Sequence, residues 1–128
     1  MFGNGSKKAP RKTDQQQWQE KNQRLLALIR ERDIDRALAE GQELVEFVDR
    51  RFRRDAPEKA TAYNNMGMAF MLARDWELAE QSFRDALAMR RRLLGSDHNE
   101  VALILMNLSQ LFKTRAQEIL AANRLEVE

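Results

Sequence analysis

Along nearly the whole chain, apolar side chains recur at the three- and four-residue spacing of a helix face, and nothing alternates as a half-buried strand does. Read with the breaks between them, the runs predict helices over about 14–31, 34–53, 57–72, 76–94 and 98–113, and a further one reaching the C-terminus. Cap chemistry agrees with several of these starts. Thr13 followed by Gln16 forms a capping box ahead of the first helix. Asp33 and Asp75 each stand at a break, where a carboxylate accepts from the first free N–H groups of the next helix. Two other stops, Asp55-Ala56-Pro57-Glu58 and Asp97-His98-Asn99-Glu100, predict the same role for Asp55 and Asp97, with the Glu reaching back.

Those signals repeat. Asp33 and Asp75, Ala37 and Ala79, Asp55 and Asp97, Glu58 and Glu100, Ala60 and Ala102, Asn65 and Asn107, and Phe70 and Phe112 are all 42 residues apart. A fixed period of this size with two helices per unit predicts a solenoid, in which each unit buries against its neighbours the face it cannot bury alone. The expected fold is all-α, an antiparallel helix-pair solenoid of about 2.5 to 3 repeats spanning residues 14–128.

The middle unit carries a family likeness. Tyr63, Met66, Gly67 and Phe70, followed by Ala79, Phe83 and Ala86, resemble the tetratricopeptide consensus in residue type and spacing. Its physical content is packing, with Gly67 and Ala79 where two helices approach closely and large side chains filling the space between turns. The 42-residue length, with Leu93-Leu94-Gly95-Ser96-Asp97-His98 in the turn, resembles the long-helix subtype of kinesin light chains, apart from Asn99, where proline is usual. The first unit keeps Leu28, Ala37 and Leu44 but puts Lys21, Arg24 and Gly41 at apolar or aromatic positions. The third has Leu105, Leu108, Phe112 and Ala121, with no turn signal between Lys113 and Gln117.

The resemblance implies a protein-interaction adaptor that binds a partner peptide or helix in a concave groove lined by the first helix of each pair. It places Thr61, Asn64, Asn65, Met68, Met71 and Leu72 there from the middle unit. The flanking units add Asn22, Gln23, Leu26 and Ile29, and Leu103, Met106, Asn107 and Gln110. Asn can donate to and accept from a peptide backbone, and Met offers adaptable apolar area. The competing account makes Met66 core fill and gives Asn64, Asn65 and Asn107 local helix–helix hydrogen bonds. A structural subunit, or a homodimer closed through the C-terminal helix, is the alternative function. Ile119, Leu120, Leu125 and Val127 leave an apolar stripe there with no following repeat to cover it.

Composition narrows the picture only at its edges. Residues 1–13 are rich in Gly, Ser, Pro and charge, which predicts a flexible basic arm. With 22 basic and 20 acidic residues the net charge is +2, too small to indicate nucleic acid by itself. Arg50, Arg51, Arg53 and Arg54, and Arg90, Arg91 and Arg92, close two helices, where cations complement the macrodipole and stay solvated. They also offer a basic edge, but no aromatics are interleaved to stack bases. Trp76 is expected between helices, and Trp18 either in the core or as an exposed anchor. There is no Cys and one His, His98, which falls in a turn. No thiolate, metal site or phosphate-cradling loop is expected, and neither a cofactor nor an enzymatic role. No run reaches the ~18 apolar residues of a membrane span, and the N-terminus lacks the apolar core of a secretory signal. A cytoplasmic protein is the expectation.

Overall fold

The structure, a computed structural model, describes residues 10–127, with side chains through Arg124. Five helices follow one another: α1 (Asp14–Arg30), α2 (Ile34–Arg51), α3 (Pro57–Leu72), α4 (Trp76–Leu94) and α5 (Asn99–Val127). The fold is all-α, two helix pairs followed by a single long helix. Most of the predicted arm, including Lys7 and Lys8, lies outside the described residues. Its end is tied to α1, because Lys12 pairs with Glu20 at 2.8 Å and its carbonyl accepts from Gln17 at 3.2 Å.

The starts of the first, second and fourth helices follow the sequence. The Gln16 N–H donates to Thr13 Oγ1 at 3.1 Å, and the Thr13 N–H donates to Gln16 Oε1 at 2.9 Å. Asp33 and Asp75 accept from the N–H groups of Arg36 and Leu78. Both turns entering these caps share one device. Arg32 and Arg74 adopt positive φ, 58° and 62°. The Arg32 and Asp33 N–H groups then donate to the Ile29 and Leu28 carbonyls, and those of Arg74 and Asp75 to Met71 and Phe70. This is the Schellman closure, with arginine where glycine usually stands. Each Asp thus ends one helix and begins the next.

The other two helices start where expected, but their caps correct the sequence reading. α3 begins on Ala56 without a side-chain cap, using Pro57 in its first turn, where no N–H is missed. Asp55 instead holds the Arg92 guanidinium through two bonds of 2.9 and 3.0 Å. At α5 the N–H of Glu100 donates to His98 Nδ1 at 3.0 Å, so the imidazole caps rather than Asp97. The helices predicted beyond 98 are one continuous α5 of 29 residues. No Gly, Pro or Asp interrupts residues 113–117, and the ladder simply continues.

Core packing divides at α3. One cluster joins Leu25, Leu28, Ala37, Leu44, Phe47 and Val48 of α1 and α2 to Ala62 and Ala69 of α3, with Trp18 half-buried beside it. The other joins Ala79, Phe83, Ala86 and Leu87 of α4 to Val101, Ile104, Leu108 and Leu111 of α5, with Tyr63 and Phe70 of α3 against it. Trp76 also packs there, as expected. A Cβ on Gly67 would lie 2.7 Å from the Phe83 ring, which is the close approach the sequence predicted. Gly41, off-pattern in sequence, leaves the space that the Met66 sulfur fills. Lys21 and Arg24, equally off-pattern, pair with Glu43 at 2.8 Å and Glu40 at 3.5 Å, and Lys21 sits 5.4 Å above the Phe47 ring. The first unit has thus replaced apolar contacts between its helices with exposed ion pairs, which contribute little individually.

Candidate functional site

α3 touches both α1 and α5, whereas α2 and α4 do not meet. Helices drawn together in one layer and apart in the other make the array concave on the α1–α3–α5 side. A ladder of asparagines bridges them. Asn65 Nδ2 donates to Asn22 Oδ1 at 2.6 Å, and Asn107 Nδ2 donates to Asn64 Oδ1 at 2.9 Å. Asn22 and Asn64 are equivalent positions of the 42-residue repeat, as are Asn65 and Asn107, so one bond recurs at each junction. Met106 occupies the next acceptor position, and the ladder stops there.

Other polar groups on this face are also committed within the chain. Thr61 Oγ1 accepts from Arg90 Nη2 at 2.7 Å, and Gln110 donates to Thr114 Oγ1 at 3.0 Å. The second Asn64 contact is a long one to the Met68 sulfur, 3.9 Å. Asn65 is only 5% exposed.

Two hollows break the concave face. The larger, about 310 Å³, is lined by Ile29, Met68, Met71, Leu72, Trp76 and Thr114, with Arg32 and Arg74 at its rim. The smaller, about 120 Å³, brings Thr61, Asn64 and Leu103 beside Arg90 and Glu100. Met106 and Leu103 stand exposed on α5, and Gln23 is exposed on α1. Of the residues singled out in sequence, Met68 and Met71 therefore meet in one place and Thr61, Asn64 and Leu103 in another. Asn22, Asn65 and Asn107 form the ladder between helices, while Gln23, Met106 and Gln110 line neither hollow. Sequence reasoning missed Arg32, Arg74, Trp76 and Thr114. The Arg-Asp pair at 32–33 and 74–75 was a signal for the first two, being 42 apart in a turn.

Of the seven helix-end arginines, Arg50, Arg53, Arg54 and Arg91 are exposed as expected, and three are held within the chain. Arg90 is largely buried between Thr61 and Glu100, Arg51 pairs with Asp14 at 3.1 Å, and Arg92 binds Asp55. The Arg92 hydrogen bond holds the Asp55 carboxyl below the usual carboxylate range. Behind the groove, burial and the 2.5 Å bond from its hydroxyl to Asp49 push the Tyr63 phenol well above its ordinary value. Among the described residues no group of three or more His, Cys, Asp or Glu could hold a metal ion.

A concave layer of equivalent helices, tied by a repeated hydrogen bond and backed by a second layer, defines a helical-repeat scaffold. The chain belongs to the tetratricopeptide repeat family, whose model matches residues 58–127, more than half of its length. No curated protein matches the chain. Repeats of this family generally mediate protein–protein interaction. Among the described residues no helix is long and apolar enough to cross a membrane.

Proposed function

We propose that the chain is an interaction adaptor which seats a partner's peptide or helix on the α1–α3–α5 face by apolar anchors. The observation that carries this is the hollow of about 310 Å³ floored by Ile29, Met68, Met71 and Leu72. Because Asn22, Asn64, Asn65 and Asn107 bond to one another, a ligand backbone gripping them would first have to break the ladder. Their part is to set the groove's curvature. Thioether side chains then adapt to an aliphatic or aromatic anchor, with Leu103 and Met106 extending the apolar track and Gln23 and Gln110 at its margins. Arg32 favours an acidic residue beside that anchor, whereas Arg74 is already paired with Glu118.

Protein fits better than nucleic acid, since Arg51, Arg90 and Arg92 are already engaged within the chain. A cytoplasmic site of action, a flexible basic N-terminal arm and a non-enzymatic role belong to the same proposal. The test is capture from the native cell by wild type, Met71→Glu and Asn65→Gln. Met71→Glu is expected to lose the specific partner while keeping its helical signal and a cooperative melt, at some cost in stability because Met71 also packs against the α4–α5 cluster. If it retains every captured protein, the groove is not the binding face.

A further inference from the structure

α5 is a helix without its pair. On α3, Tyr63 and Phe70 pack against the second helix of the repeat, with Gly67 beside Phe83. The same positions on α5 are Leu105, Ser109 and Phe112, and no described helix covers them. Leu105 and Phe112 are 43% and 45% exposed, and Ile119 two turns on is 45% exposed. The C-terminal half of α5 is nevertheless held in line. Arg115 lies 6.0 Å over the Trp76 ring, and Glu118 pairs with Arg74.

The uncovered face has an internal order. Ala102, Leu105, Ser109, Phe112, Ala116 and Ile119 alternate three and four residues apart, small then large, and none is charged. Over about two and a half heptads, that is the spacing by which one helix seats against another. In a parallel pair each residue would meet its own equivalent, setting Phe112 on Phe112 and leaving voids at Ser109. In an antiparallel pair one register sets every large residue on a small one. Leu105 meets Ala116, Phe112 meets Ser109 and Ile119 meets Ala102 of the other copy. Even packing of this kind is what a close helix contact requires.

We infer that α5 closes an antiparallel homodimer in this register, the second copy supplying the cover that no described helix gives this face. Paired helix runs for about 36 Å. With Leu120 flanking it, the seam covers on the order of 500 Å² per copy, about 1,000 Å² in total, the least a specific interface needs. A reversible, concentration-dependent dimer is the expected behaviour. The seam faces away from the groove, so its failure would leave the adaptor reading standing.

Light scattering on the full chain tests the mass, expected to rise with concentration from 15.0 toward about 30 kDa. Phe112→Glu, and independently Ala116→Arg at an exposed small site, should remain at the monomer mass with unchanged helical signal. Because the chain has no Cys, single cysteines report the register. Ser109→Cys lies about 4.5 Å along the axis from its copy and Ala102→Cys about 25 Å, so only the first should form a disulfide dimer. A wild-type monomer at every concentration overturns the proposal, as it would if α5 folded back on itself or awaited another protein's helix. Cross-linking of Ala102→Cys also overturns it, by indicating a parallel pair.

Discussion

Tyr63, Gly67 and Phe70 on α3 and Leu105, Ser109 and Phe112 on α5 hold the same three positions of the 42-residue repeat. On α3 the first and third pack against α4, and Gly67 admits the Phe83 ring. On α5 the equivalent large side chains face outward. The residues are comparably apolar in both places. The difference is whether a second helix follows: Ala73-Arg74-Asp75 turns the chain after α3, and nothing turns it after Lys113. A helix face becomes core only when the chain, or another chain, returns to cover it.

The largest effect is expected where the cover exists. Gly67→Leu drives a branched side chain into the Phe83 ring and should cost about 3 kcal/mol or more in urea unfolding. A midpoint equal to wild type would mean that α3 and α4 do not approach as described.

Next come the asparagines. Asn65→Ala removes the donor from a buried amide bond and strands Asn22, an expected loss of ~1–2 kcal/mol. Asn107→Ala breaks the equivalent bond at the more open α5 junction and should cost about half as much, since water can replace the lost partner. Equal losses would show that the two junctions are buried alike, against the half-exposed setting of Asn107.

Tyr63, which α5 replaces with Leu105, sharpens the contrast through pH. Burial, then Asp49, favours its neutral phenol in the folded state. The folded chain therefore holds the proton more tightly than the unfolded one. Its contribution is intact below the ordinary tyrosine value of about 10 and is lost as pH rises above it. As the only tyrosine, it reports directly through phenolate absorbance. The transition should coincide with unfolding, and Tyr63→Phe should abolish that alkaline slope. A reversible titration near the ordinary value in the folded chain would contradict the burial.

The smallest effect belongs to the exposed counterpart of Gly67. Ser109→Ala should change stability by no more than about 0.5 kcal/mol. It keeps the seam small, so it should leave association unchanged too. A large loss there would mean that α5 is covered in the isolated chain.

Much of the architecture was legible because periodicity, caps and the 42-residue interval are local or translational properties of the chain. Five helix starts, the close approach at Gly67 and the capping by Thr13, Asp33 and Asp75 followed from them. Where a side chain had two possible partners, sequence could not choose. Asp55 was free to cap α3 or to bind Arg92, and only folding brings the α4 end within 3 Å of it. The asparagines could grip a ligand or one another, and their mutual distance depends on how closely α1, α3 and α5 stack. Lys21 and Gly41 looked like errors in the first repeat until Glu43 and Met66 arrived beside them. The sequence by itself determined the helices, their repeat and the family. The tertiary structure alone decided which polar groups are spent inside the groove and which apolar face of α5 is left over, because both depend on surfaces contributed by residues dozens of positions away.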